Sequence, residues 1–556
     1  MTSGTICEAI DQIAELSFQN GATFQDLEGL ETYYSYSDLR SEIYGAAAYL
    51  SACGLNKGNV VIFCVTLPEE FIVTFLACLK MGIVATPVAP SKYSKIKSEK
   101  NRLKAVIELT KAKTIVCSDD NLADIKAFCE LTNTRLAKVK SNERLDEVPD
   151  FPVIKPDDIA YFQLTSGTTS LPKAVVNTHA NLIANIRGIT GEKGLQTNSS
   201  TDKCVSWLPL YHDMGIIGFV LCPLYRRIST VYIPMHRFLR NPKVWLEAIA
   251  RHRGTVTYAA NFAYLLINRL VKDSDLQQWD LSCIKVMGCG AEPIKPDVIC
   301  EATERLHRFS GMPVKAIKPS YGLAEISLCA TITPKDEAMH LLKIDEQTYR
   351  ETKKITPPRE GKRVIEHVSC GACLENIEIH IVDEQGNLLP EGICGEIVVN
   401  GPVLAQGYYD NPKDTAANFK HNGFHTGDIG YLYNNNLYIS GRKKDLIIHN
   451  GRNISAHEIE WCVESLEGTR KGSVITFSVL DENTEKVYLL VGLKAEANSE
   501  LLTKINSILF SNFSFSVEKV FFVSPNEIPK TSSGKLQRGL AKKRFMMGDY
   551  EEKMKQ

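Results

Sequence analysis

The chain lacks net charge: 64 Lys and Arg stand against 65 Asp and Glu, a balance of −1 over 556 residues. Without a basic excess there is no electrostatic footprint for nonspecific nucleic-acid binding. Also lacking is an unbroken apolar run of roughly 20 residues, the length a spanning helix needs. The most apolar region, Phe71 to Pro90, is interrupted by Lys80 and Gly82. The N-terminus, MTSGTICEAIDQIAELSFQ, has no basic segment followed by an apolar core, so it does not read as a secretory leader. It reads as an amphipathic helix with Ile6, Ile10 and Ile13 on one face, and Thr5 and Glu8 have capping-box spacing. A cytoplasmic location is expected. There is no repeat of solenoid period, no low-complexity tract and no G-x-x-x-x-G-K-[ST] loop of the P-loop NTPases.

What is present is the composition of a globular protein, 44% apolar and 23% charged. The length exceeds what one core usually supports, so two or more domains are expected. Sixteen cysteines are scattered, mostly inside apolar runs where a free thiol behaves as a small hydrophobe, and a reducing compartment fits them. Cys370-Gly-Ala-Cys373 has redox spacing, yet it runs into the strand-like Asn376-Ile-Glu-Ile-His-Ile-Val instead of a helix N-terminus. Buried structural thiols are the expectation.

From Asn59 onward the pattern alternates: VVIFCV, a helix over Glu69 to Met81, IVATPV, a helix over Ile96 to Lys111, then TIVCS. That order predicts a parallel sheet covered by helices. Val256-Thr-Tyr-Ala and Ile284-Lys-Val-Met repeat the strand-then-loop pattern; the second leads into Gly288-Cys-Gly290-Ala291-Glu292-Pro293, a weak dinucleotide signal without its third glycine. Residues 333–367 are dense in charge with little apolar periodicity and read as a solvated insertion lying against a domain. After them IEIHIVD, GEIVVNG and LYISG alternate with period two, predicting an antiparallel or barrel-like subdomain. Beyond Gly441-Arg-Lys-Lys-Asp445 a separate α+β unit of about 100 residues begins, a normal size for a small domain.

One stretch carries chemistry on its own: YFQLTSGTTSLPK, Tyr161 to Lys173. Main-chain N–H groups and small hydroxyls at a turn can surround a phosphate, Gly167 lets backbone approach closely, and Lys173 brings positive charge. It is a nucleotide-triphosphate loop in outline, and taken alone it could equally be a polar surface turn.

Six separated stretches, in order, turn the balance: LTSGTTSLPK (164–173), PSYGLAE (319–325), YYDNPKDTAANF (408–419), GFHTGDIG (423–430), SGRKKDLIIHNGRNISAHEIE (440–460) and IPKTSSGKLQR (528–538). Together they resemble the adenylate-forming enzymes, over almost the whole chain. SWLPLYHDMGIIG (206–218), AANFAY (259–264), GCGAEPI (288–294) and the insertion before VSCG (368–371) resemble the fatty acyl-AMP ligase branch.

The resemblance implies an α/β fold: a large domain (1–441) with parallel sheets and a barrel-like β subdomain, and a small mobile α+β lid (442–556) turning near Lys444. It implies ATP-dependent activation of a medium- or long-chain fatty acid to acyl-AMP, release of pyrophosphate, and transfer to the phosphopantetheine thiol of an acyl carrier protein or a polyketide or nonribosomal synthase carrier domain. The insertion in that branch packs on the large domain and hinders the rotation that CoA thioester formation requires. An ordinary acyl-CoA ligase and a non-catalytic nucleotide- or carrier-binding relative are the alternatives.

By the same resemblance Thr165, Ser166, Gly167, Thr168, Thr169 and Lys173 hold the β- and γ-phosphates, and Glu325 helps hold Mg²⁺. Lys535 reaches from the lid to the α-phosphate and the substrate carboxylate. Asp428 and Arg442 meet the ribose hydroxyls, Gly290, Ala291 and Glu292 lie along the adenine, and Tyr321, with Gly322 beside it, belongs near the base. His212 either lines the acyl tunnel and eases the carboxylate in, or is a packing histidine. Two positions depart from the family loop, which usually carries glycine where this chain has Ser170 and Ala174. If those positions need φ > 0, Ser170 is strained by about 1 kcal/mol.

Overall fold

A computed structural model describes residues 3–14, 20–139, 150–165, 172–449, 452–481, 484–493, 499–513, 515–531 and 534–550. The alternating N-terminal pattern folds into a six-stranded sheet. Val60–Cys64 lies parallel to both Val84–Pro87 and Thr114–Cys117, Ile159–Thr165 joins beside Val84–Pro87, and Lys173–Thr178 closes the edge antiparallel. The helix Pro68–Met81 crosses between the first two strands. Pro68 starts it where a missing N–H costs nothing, and Gly82 ends it at φ 65°, its N–H on the carbonyls of Cys78 and Leu79. That helix is buried nearly all round, because it lies inside the core.

A second sheet has nine strands. Ile317–Tyr321, Val286–Cys289, Val256–Ala259, Lys203–Ser206, Ser229–Tyr232 and Gly21–Gln25 run parallel in that spatial order, with short antiparallel strands at both edges. The first core packs inward residues of both sheets together, Phe63 and Tyr161 from one with Val205 and Met287 from the other. Parallel strands expose functional loops at their carboxyl ends. Here those ends are Thr165, Cys289 and Tyr321, the starting points of three of the sequence motifs.

The period-two segments form an antiparallel sheet of Glu378–Val382, Gly395–Asn400, Gly423–Tyr433 and Asn436–Arg442, with Phe419–Lys420 at its edge. The insertion lies against the large unit as expected, and it carries secondary structure of its own. Leu341–Asp345 and Val364–Val368 make a hairpin around a short helix, Glu346–Thr352. Ile344 and Ile355 pack with Tyr431 and Tyr438 of the antiparallel sheet. Charge hid this because the few apolar residues are spread over three short elements, too short to show a period. Cys370 and Cys373 are free, and burial raises both thiols, Cys370 to about 12, so a structural role holds.

From Ile447 onward the chain builds its own cores, on either face of the sheet Val474–Asp481, Thr484–Gly492 and Lys519–Val523. Among the described residues no helix is long and apolar enough to cross a membrane.

One buried cation pins the start of the insertion. Lys318, wholly inside, donates through Nζ to the carbonyls of Pro334, Lys335 and Glu337 at 2.7, 2.7 and 2.5 Å. Burial lowers its ammonium to a pKa of about 8. Lys318→Met should strand three buried acceptors and cost about 3 kcal/mol, read as a lower urea midpoint at unchanged slope.

Candidate active site

Loops at the carboxyl ends of both parallel sheets, the antiparallel sheet and the C-terminal unit enclose one cleft of about 1920 Å³. On its floor Asp428 and Arg442 stand directly opposite each other on neighbouring antiparallel strands. Arg442 Nε lies 2.5 Å from Asp428 Oδ1, and Tyr321 Oη donates to Oδ2 at 2.8 Å. Both carboxylate oxygens of the buried Asp428 are therefore fixed, which makes a rigid acceptor for hydroxyls reaching it from the cleft.

Glu325 follows the strand Ile317–Tyr321 in a single helical turn, Ala324–Ile326. Its Oε1 accepts from Tyr408 Oη at 2.9 Å, and burial, opposed by that bond, raises its pKa. Tyr408 has a second role: Lys173 Nζ lies 4.5 Å from the centre of its ring while pairing with Asp414 at 2.8 Å. Thr165 ends the strand Ile159–Thr165 and also lines the cleft. Ser166, Gly167, Thr168, Thr169 and Ser170 lie outside the described residues. Ala174 answers part of the concern about lost glycines. It is fully buried in the extended strand Lys173–Thr178, is not at positive φ, and accepts from Tyr409 N, so no glycine is needed there.

Gly290 ends the strand Val286–Cys289, and a Cβ there would come 2.8 Å from Ser320 Oγ. Ala291 is held at φ 68°, a left-handed conformation costing on the order of 1 kcal/mol for a residue with a Cβ. The Glu292 side chain is engaged elsewhere: Oε1 accepts from Phe262 N at 2.7 Å, in the first turn of the helix Asn261–Leu270. Gly322 is obligatory for packing, since a Cβ would lie 1.8 Å from the carbonyl of Leu328.

The C-terminal unit delivers Lys535 into this cleft. Gly534, at φ 89°, turns the chain against the ring of Phe262, and Lys535 N donates to Thr531 Oγ1 at 3.0 Å. Lys535 Nζ then lies 3.4 Å from His212 Nε2. Burial lowers the pKa of this ammonium, while Asp213 and Glu292 pull it back up. Behind the histidine, Nδ1 sits 2.5 Å from Asp213 Oδ1. From the same centre an apolar recess runs inward past Gly218, Phe219, Val256, Tyr258 and Leu328. Gly288 makes room for the Tyr258 ring that lines it, because a Cβ there would lie 1.9 Å from that ring.

Two further ties hold the C-terminal unit in place. Arg350 of the insertion bonds Glu346 at 2.8 Å and Glu458, across the boundary, at 2.7 Å, with its guanidinium 5.3 Å from the centre of the Phe513 ring. Lys295 of the large unit stands 3.7 Å from Glu464.

The family model described as AMP-binding enzyme matches residues 18–409. The chain belongs to the AMP-binding enzymes. This AMP-binding enzyme is 31% identical, over 98% of its length and 96% of the relative's, to a Caulobacter vibrioides (strain NA1000 / CB15N) protein named provisionally as an acyl-CoA synthetase. It is 33% identical to a medium-chain-fatty-acid–[acyl-carrier-protein] ligase of Teredinibacter turnerae, over 71% of this chain and 64% of that one. A solved structure from studies of fatty acyl-adenylate ligases of E. coli and L. pneumophila superimposes with a TM-score of 0.89 at 31% identity, covering 99% of this chain and 98% of that one. The fold is that of the adenylate-forming superfamily, and within it the chain sits with the fatty acyl-AMP ligases.

Of the residues this AMP-binding enzyme was expected to use, the structure brings Lys535, His212, Glu325, Tyr321, Asp428, Arg442, Thr165 and Lys173 to one cleft. Sequence reasoning passed over Asp213, Tyr408 and Asp414. Asp213 adjoins a residue already singled out, and the other two lie inside a motif noted only for its order, so the signal was position next to a known group.

Proposed function

We propose that the protein activates a medium- or long-chain fatty acid with ATP, forming acyl-AMP and pyrophosphate, and passes the acyl group to the phosphopantetheine thiol of an acyl carrier protein or synthase carrier domain. The observation that carries this is the Lys535 ammonium, 3.4 Å from His212 in a cleft that joins a charged floor to an apolar recess. A fatty carboxylate, with a pKa of about 4, is ionised at neutral pH and needs no base to attack the α-phosphorus. The difficulty is two anions meeting, and fixed positive charge at the point of attack answers it.

In this reading Lys535 bridges the carboxylate and the α-phosphate. Lys173, with Thr165 and the Ser166 to Thr169 loop, receives the β- and γ-phosphates, and Asp428 and Arg442 hold the ribose. The adenine lies along Gly290 to Glu292, with Tyr321 and Gly322 beside it. His212 stands where the carboxylate must pass. Glu325 fits Mg²⁺, which typically takes one or two carboxylates and completes its shell with phosphate oxygens and water. Tyr408 leaves that side chain one oxygen to offer. The ion would neutralise phosphate charge as pyrophosphate leaves. Such chemistry suits a cytoplasmic protein.

We further assign residues 1–441 as the large domain and 442–556 as a lid that turns near Lys444 between half-reactions. The contact of Arg350 with Glu458 supports a restraint on that turn by the insertion. Arg350→Ala should loosen the lid, seen as faster hydrogen exchange in the helix Ala456–Glu464, and raise acyl-CoA formed with added CoA several-fold. The overall test is pyrophosphate release over acids of increasing length, with and without CoA. Fatty-acid-dependent release with little acyl-CoA is expected; robust acyl-CoA turnover would assign an ordinary acyl-CoA ligase, and no release a non-catalytic relative.

A further inference from the structure

Two half-reactions place opposite demands on one cleft. Adenylation needs no base. Thioester formation does, because a phosphopantetheine thiol, with a pKa near ~8.5, is mostly protonated at neutral pH and only the thiolate attacks. The Asp213–His212–Lys535 row supplies that base and controls when it is available.

Asp213 is buried, and the N–H of Met214, 2.7 Å from Oδ1, opens the π-helical segment Met214–Leu221 on that carboxylate. The backbone thereby fixes the carboxylate before any ligand arrives. His212 Nδ1 lies 2.5 Å from the same oxygen and 3.4 Å from Met214 N, and the much shorter carboxylate contact favours the proton on Nδ1. In that tautomer Nε2 keeps a lone pair facing the cleft, 3.4 Å from Lys535 Nζ, an ammonium that can only donate. The same logic orients the histidine of a hydrolase triad. While the lid is closed for adenylation, the ammonium covers the lone pair. When the lid turns, Lys535 leaves with it and Nε2 is exposed, still backed by Asp213.

We propose that His212, oriented by Asp213, is the proton acceptor for the carrier thiol in the second half-reaction. The thiol proton moves to Nε2 as sulfur bonds to the acyl carbonyl carbon. The carbonyl carbon–oxygen bond to AMP breaks, and its electron pair leaves on the phosphate oxygen of AMP. The imidazolium, paired with the Asp213 carboxylate, returns its proton to solvent after the products depart. The charged groups around the row are Asp213 on its own loop, Lys535 from the lid, Glu325 from the turn after Tyr321, Glu292 from the adenine segment, and Arg442 from the antiparallel sheet. Glu325 and Glu292 stay on the large domain, and Arg442, the first residue of the lid, precedes the turning point near Lys444, so Lys535 is the charge that the turn carries away. This assignment rests on the proposed carrier-loading reaction.

The experiment starts past adenylation: full-length protein, chemically made dodecanoyl-AMP and phosphopantetheine as the thiol, in single turnover from pH 6 to 9. Hydroxylamine, a nucleophile that attacks without prior deprotonation, is the parallel probe. His212→Gln should lower the ratio of thiol to hydroxylamine capture by about 100-fold at pH 6.5. Its remaining thiol rate should rise about tenfold per pH unit toward the thiol pKa, while wild type rises less steeply. Asp213→Asn should fall between them, since the imidazole loses its fixed tautomer. Ratios and pH profiles unchanged in both variants would overturn the assignment while leaving carrier loading intact. Wild-type protein that passes dodecanoyl to neither nucleophile would overturn the underlying function as well.

Discussion

Lys535→Ala is expected to slow fatty-acid-dependent pyrophosphate release by about 10²- to 10³-fold while leaving ATP affinity within a few-fold, measured as pyrophosphate release and as ATP binding by calorimetry. The asymmetry follows from where the ammonium sits. It is held over His212, between the charged floor and the apolar recess, which in our assignment is where the two reacting anions come together, apart from the Asp428 and Arg442 pair assigned to the ribose. A group that acts mainly on developing charge lowers kcat when removed and leaves ground-state binding largely alone. Lys535→Arg should not restore the rate. A planar guanidinium is larger than the compact charge that now fits beside Nε2. An unchanged rate in Lys535→Ala would refute the role.

A second large effect is expected three residues further on. Arg538 binds Glu460 through both arms, Nε to Oε1 at 2.8 Å and Nη2 to Oε2 at 2.6 Å, and reaches Asp445 with Nη1 at 3.1 Å. Glu460 is 1% exposed and also accepts from Thr476 N. Burial raises the pKa of its carboxyl, and Arg538 opposes that. Arg538→Ala leaves that carboxylate without its cation inside the C-terminal unit, and breaking one side of a buried pair costs about 3–5 kcal/mol. Arg538→Met with Glu460→Leu should regain most of the stability, because a buried pair replaced by apolar groups is often neutral. Thermal unfolding of the two variants measures this directly. The single variant should also lose adenylation, since Arg538 anchors the turn that aims Lys535.

How much of this was legible in the chain depended on the range of the signal. Alternating elements such as Val60–Cys64 and the helix Pro68–Met81 announce themselves locally, through an apolar run, a proline at the start and a glycine at the end. The pairing of Gly21–Gln25 with Ser229–Tyr232 does not, because two strands some 200 residues apart leave no mark in either about the other. The same holds at the site. Lys535 and Asp428 were found through motifs whose order was known, whereas the 3.4 Å approach of Lys535 to His212 depends on how the C-terminal unit docks. Residues 333–367 show their placement against a domain but not their hairpin and helix, because Ile344 and Ile355 are buried by tertiary contact with Tyr431 and Tyr438 against the local excess of charge. Ala174 was treated as a lost glycine when the strand Lys173–Thr178 asks nothing unusual of its backbone.

Tyr408 bears on how the cleft behaves before any nucleotide arrives. In our assignment the Glu325 carboxylate awaits Mg²⁺ and the Lys173 ammonium awaits phosphates; free to meet, the two would neutralise each other, and the nucleotide and its ion would first have to pull them apart. The Tyr408 phenol stands between them, its hydroxyl on Glu325 and its ring face under Lys173, while Asp414 gives the lysine a more exposed counter-charge than a buried acid would be. The aromatic ring thus acts as an insulator: it stores the site's opposite charges separately, so that a polyphosphate has only the looser of the two pairings to displace.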